Sequence, residues 1–134
     1  MIEVYVDGAS SGNPGPSGVG IIIKNKQHYL SQYFYVGILS NHEAEIHAVI
    51  KALQLCKDNF PDQILSIRSD SKLVVDMIER EHTKNKTYQP LLQEILAEIE
   101  TFPHCFIKWI PSTQNKKADR LAREAILQWK NTTT

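Results

Sequence analysis

The stretch Val4-Tyr5-Val6-Asp7-Gly8-Ala9-Ser10-Ser11-Gly12-Asn13-Pro14-Gly15-Pro16-Ser17-Gly18-Val19-Gly20 constrains the fold more than any other part of the chain. Residues 2–7 alternate apolar and polar side chains, the period of a strand with one buried face. The run ends on an acid, Asp7. Gly12, Asn13, Pro14, Gly15 and Pro16 then spell a turn, because glycine and proline supply the backbone angles a reversing chain needs. A second apolar run, Val19 to Ile23, comes back. A carboxylate at a strand end beside a glycine-rich turn, where backbone can approach a ligand closely, is placed for chemistry.

The same periodicities carry through the rest of the chain. Strands are expected over residues 2–7, 19–24 and 28–36, the last two joined as a hairpin by Asn25-Lys26-Gln27. Ile46, Val49, Ile50, Leu53 and Cys56 fall at helical spacing and predict a helix over 42–57, capped by Ser40 or Asn41. Residues 64–68 read as a fourth strand, and a helix over 71–80 starts directly after Ser69-Asp70. A polar loop, Glu81 to Thr87, leads to a helix over 88–101. Residues 105–110 form a fifth strand, and Ala118, Leu121, Ala122, Ala125, Ile126 and Trp129 mark a last helix over 115–130. The order β-β-β-α-β-α-α-β-α is α/β. It implies a five-stranded mixed sheet, three antiparallel strands then β-α-β crossovers, with helices on both faces.

A chain of 134 residues supports one such domain, expected over 1–131, with 132–134 as a frayed polar tail. Its 15 basic and 15 acidic residues cancel, so any polyanion site must come from local placement of charge. No apolar run reaches the roughly 18 residues of a membrane span, and the N-terminus does not read as a signal peptide. Cys56 and Cys105 have apolar neighbours and read as reduced, buried thiols. The expectation is a cytoplasmic monomer with no membrane partner.

Four acids stand out by context: Asp7 at the end of the first strand, Glu45 early in the first helix, Asp70 between the fourth strand and its helix, and Asp119 early in the last helix. Sites on such sheets form beyond the carboxyl ends of strands, where these acids can meet. Each has a plain alternative: a turn residue for Asp7, an N-cap for Asp70, a first-turn dipole partner for Glu45 and a solvated helix acid for Asp119. Converging carboxylates repel and are costly to bury unpaired, so divalent cations are the natural compensation. All-oxygen ligands suit Mg²⁺ or Mn²⁺, and two such ions about 4 Å apart cleave phosphodiesters in line.

The surroundings of these acids are more specific than their spacing. Val6-Asp7-Gly8-Ala9-Ser10-Ser11-Gly12-Asn13-Pro14-Gly15-Pro16, Ser40-Asn41-His42-Glu43-Ala44-Glu45, Arg68-Ser69-Asp70-Ser71 and Asn115-Lys116-Lys117-Ala118-Asp119-Arg120-Leu121-Ala122 resemble type 1 ribonuclease H, in order and over almost the whole chain. The resemblance implies a ribonuclease H-like fold and cleavage of the RNA strand of an RNA–DNA hybrid, leaving 5′-phosphate and 3′-hydroxyl ends. It implies two Mg²⁺ ions, with Mn²⁺ able to substitute, held by Asp7, Glu45, Asp70 and Asp119, with Asp7 bridging both. It also implies hybrid contacts from Ser10, Gly12, Asn13, Ser40, Asn41, His42, Ser71 and Asn115. Telling RNA from DNA requires contacts of this kind to 2′-hydroxyls. Lys116, Lys117, Arg120 and Arg123 would add local positive charge, with Lys84 and Lys86 in the polar loop.

The chain departs from the family pattern in three places. The loop Pro111-Ser112-Thr113-Gln114-Asn115 lacks the histidine many members carry there and resembles a shorter, archaeal-like branch. His42 stands where a second asparagine is usual. The Glu81–Thr87 loop holds neither the extra basic helix nor the tryptophan with which some members grip DNA, so weak substrate affinity is expected. A rival reading is a fold relative that binds nucleic acid and cuts feebly or not at all. A proofreading-type exonuclease would place Asp-x-Glu on the first strand, whereas Gly8 and Ala9 follow Asp7 here.

Overall fold

Alternation along the first strand sorts its side chains onto two faces, and the sheet is built from that sorting. The structure, a computed structural model, describes residues 1–133. In β1 (Ile2–Ser10), Ile2, Val4 and Val6 turn to one face, where Val19, Ile21 and Ile23 of β2 (Gly15–Lys24) join them. β3 (Tyr29–Leu39) pairs antiparallel with β2, and β2 antiparallel with β1. β4 (Leu65–Ser69) and β5 (Cys105–Trp109) extend the other edge in parallel, giving the order β3-β2-β1-β4-β5. This is the expected five-stranded mixed sheet.

α1 (Asn41–Asn59) covers the face bearing Val4 and Ile21, burying Ile46, Val49 and Leu53. α2 (Lys72–Arg80) and α3 (Gln89–Ile99) complete that layer with Val74, Ile78, Leu92 and Ile95. α4 (Lys116–Thr133) lies on the opposite face through Ala118, Ala122, Ala125 and Ile126, after a short 3₁₀ turn at Ser112–Gln114. Its approach depends on Gly20, where a Cβ would stand 2.1 Å from the Ala118 carbonyl oxygen. Helices thus flank both faces.

Both first strands run further into the glycine-rich segment than expected. β1 continues to Ser10 and β2 begins at Gly15, so the turn is Ser11 to Pro14, closed by Ser11 N–H donating to the Pro16 carbonyl at 2.8 Å. Small residues with low strand propensity fit here because Gly8 lies against the Ala44–Glu45 backbone of α1 and Gly18 against Ala122 of α4, while Gly15 lies against Ser11 across the turn. One expectation is corrected as a result: Asp7 does not end its strand but pairs with Gly20 inside the β1–β2 ladder. What ends there is the parallel ladder with β4, whose last pair is Val6 with Ser69. The expected polar tail is also corrected. Thr132 and Thr133 belong to α4, their hydroxyls donating to the Gln128 and Trp129 carbonyls at 3.1 and 3.0 Å, while Thr134 lies outside the described residues.

Candidate active site

β4 stops one residue short of Asp7, and that shortfall opens the site. Asp7 sits in β1 just past the point where that strand loses its parallel neighbour, and the chain leaving β4 delivers Asp70 beside it. Glu45 arrives from the second turn of α1. Gly8 permits this approach, because a Cβ there would lie 2.3 Å from the Ala44 carbonyl carbon and 2.6 Å from the Glu45 nitrogen. Carboxylate oxygens of Asp7, Glu45 and Asp70 all lie within 4.8 Å of one another.

Their electrostatics are unfavourable without a counterion. Asp7 is 7 % exposed, and burial, followed by the charges of Asp70 and Asp119, pushes its carboxyl up to about 8. Burial also raises Glu45, against the Ser71 hydroxyl and His42, and raises Asp70, against an Asn115 hydrogen bond. Three hard oxygen donors, each pushed towards protonation first of all by burial, fit a divalent cation.

Asp119 lines the same cleft but stands outside this trio. Both its oxygens accept from Arg123 Nε, at 3.2 and 3.1 Å, one turn along α4. Neither Asp70 nor Asp119 acts as a helix cap. Ser71 caps α2, its Oγ accepting from Val74 N–H at 3.3 Å.

The residues expected to touch substrate fall into two groups. Gly12, Asn13, Asn41 and His42 are exposed, and Asn41 lines the cleft together with Ser10. Asn13 Oδ1 accepts from Asn41 N–H at 3.0 Å, joining the β1–β2 turn to the start of α1, and His42 Nδ1 lies 3.4 Å from Glu45 Oε2. The others are engaged in the frame. The Ser10 hydroxyl donates to the Leu39 carbonyl at 2.8 Å. Ser40 forms a capping box with Glu43 on α1. Ser71 and Asn115 are buried, and Asn115 Nδ2 donates to the Val6 carbonyl at 2.8 Å, anchoring the start of α4 to the strand that carries Asp7. Trp109 was not anticipated from sequence. Its indole N–H donates to the Asp70 carbonyl at 3.1 Å, a contact between strand end and loop with no local signal.

A mixed sheet in this strand order, with acids gathered at the break between β1 and β4, defines a hydrolase of the ribonuclease H-like fold. A family model described as RNase H matches residues 1–127, and the chain belongs to that family. EbsB of Enterococcus faecalis, whose name says no more than hydrolase, is 44% identical over 127 residues, covering 94% of each chain. A ribonuclease H of Pelobacter propionicus is 30% identical over 141 residues, covering 95% of this chain and 85% of its own. LC11-RNase H1, solved in complex with an RNA/DNA hybrid, superposes with a TM-score of 0.88 at 30% identity, over 96% of this chain and 98% of its own. Among the described residues no helix is long and apolar enough to cross a membrane.

Proposed function

We propose that this ribonuclease H is an endonuclease that cuts the RNA strand of RNA–DNA hybrids, leaving 5′-phosphate and 3′-hydroxyl ends. The observation that carries the reading is the convergence of Asp7, Glu45 and Asp70 within 4.8 Å, at the edge of a cleft open to a polymer. The likeness to a protein solved with a hybrid bound supports the choice of substrate.

Two Mg²⁺ ions, with Mn²⁺ able to replace them, are the cofactor we infer from the donor set. Bound there, such ions lower the pKa of a nucleophilic water and stabilise the charge on the leaving oxygen. Asp7, Glu45 and Asp70 would hold them, and Asp119, which lines the same cleft, would supply a further carboxylate if freed from Arg123. Asn115 and Trp109 fix the backbone on either side of the carboxylates, at Val6 and Asp70, so the acids keep their places as charge develops. Gly12, Asn13, Asn41 and His42 rim the cleft and face the minor groove, where 2′-hydroxyls mark the RNA strand. Ser10 and Ser40 serve the same recognition by holding that rim in place, while Ser71 and Asn115 hold the α2 start and the Val6 backbone beside the carboxylates.

We further infer a monomer working in the cytoplasm, where Cys56 and Cys105, both unpaired and pushed up to about 12 by burial, stay reduced. The test is incubation with end-labelled hybrid, single-stranded RNA and duplex DNA while Mg²⁺ and Mn²⁺ are varied. Metal-dependent cutting of RNA in the hybrid alone is expected. Hybrid binding without cutting in either metal would favour the rival reading as a binding module.

A further inference from the structure

The exposed side of α4 carries a row of cations. Lys116, Arg120, Arg123 and Lys130 fall within one stripe at 3.6 residues per turn, and all four are exposed. The opposite side, Ala118, Ala122 and Ala125, is packed on the sheet, so the stripe points to solvent. It runs roughly 21 Å from Lys116 to Lys130 at about 1.5 Å per residue. Two acids border it: Asp119, which holds Arg123, and Glu124, whose Oε1 accepts from Gln128 Nε2 at 2.7 Å.

Among the described residues, Lys116, Arg120 and Lys130 make no ion pair with a carboxylate. Lys130 Nζ instead donates to Ser11 Oγ at 3.0 Å, so the row ends on the β1–β2 turn beside the cleft. Arg123 lines the cleft itself, together with Asp7, Glu45 and Asp70. The row therefore passes the carboxylates and continues beyond them on both sides. In a chain of zero net charge, such a concentration is local, and its complement is an extended polyanion. A nucleic-acid strand presents one phosphate per about 3.4 Å of axis, so several face a ridge of this length.

We propose that the α4 ridge, rather than the loop cations Lys84 and Lys86, grips the phosphate backbone of the hybrid on either side of the cut. This rests on the reading of the chain as a hybrid nuclease. Continuity with the carboxylate cleft selects the occupant: the strand being cut has its scissile phosphate at Asp7, and its neighbours lie along α4.

The test is a binding titration of the Asp70→Asn chain with a fluorescent hybrid between about 50 and 200 mM salt, where phosphate contacts show as the slope of log affinity against log salt. Into that background go Lys116→Gln/Arg120→Gln/Lys130→Gln and, separately, Lys84→Gln/Lys86→Gln. The ridge variant is expected to lower the slope by about 3, roughly one per cation, and the loop variant to leave it unchanged. Lys116→Gln and Arg120→Gln alone, each expected to remove about 1, keep the comparison open if the triple variant melts early. An unchanged slope in the ridge variants, or an equal loss in the loop variant, overturns the proposal. Cleavage by the unsubstituted chain separates the two levels: a hybrid that is cut while the slope stays unchanged removes the ridge alone, whereas a hybrid never cut removes the functional reading beneath it.

Discussion

Asp7 is where burial and like charge act most strongly on one side chain. A carboxyl moved from 3.8 to about 8 binds a proton in the folded chain that the unfolded chain has already lost over most of that interval. Metal-free protein should therefore be most stable below about pH 4 on account of this group and lose that contribution as pH rises through 8. Melting temperatures in EDTA from pH 5 to 9 check the sign, and a curve rising over that range would contradict it. Asp7→Asn removes the charge but keeps the shape. It should melt higher than the parent at pH 9 without metal, while cleavage falls by at least about two orders of magnitude, the scale on which preorganised electrostatic groups act. Near-normal turnover by a folded Asp7→Asn chain in Mg²⁺ would sink the assignment.

Between elements, the site depends on how closely α1 and β1 approach. Gly8 makes that contact possible, and a methyl group there meets the backbone of Ala44 and Glu45, which cannot swing aside as a side chain would. Gly8→Ala should cost about 1–3 kcal/mol through overpacking and move Glu45 away from Asp7 and Asp70. Chemical denaturation measures the first effect, and loss of metal-induced stabilisation the second. Retention of both at parental levels would show that α1 shifts freely. The Ser40–Glu43 capping box is a separate matter of local stability. Ser40→Ala should cost about 1 kcal/mol and leave metal stabilisation intact.

For the whole molecule, folding holds together acids that repel one another, and binding to the folded state alone relieves the strain. Millimolar Mg²⁺ or Mn²⁺ should raise the melting temperature at low ionic strength. The increment should grow from pH 6 to 9 as competing protons leave Asp7. A flat response to Mg²⁺, Mn²⁺ and Ca²⁺ alike would count against a metal site. Zero net charge makes the whole surface a poor attractant for nucleic acid, so hybrid affinity should be modest and fall as salt rises.

Much of this was legible in the residues alone. Period-two and period-3.6 patterns are local, so element order, the mixed sheet and the identity of the four candidate acids could be read from Val4–Gly20, Ser40–Glu45, Arg68–Ser71 and Asn115–Ala122. What the tertiary structure decided is non-local. Asp7 lies inside β1 because β2 pairs with it as far as Ser10, and it is free on one side because β4 ends early. Gly20, placed by sequence only in a strand, is small because α4 presses on it. Asn115 and Ser71, expected at the substrate, are buried as tie and cap. Asp119 shares the cleft yet answers first to Arg123, its neighbour one helical turn away. A pattern along the chain says which face a residue takes, and distances between faces are set only when the layers pack.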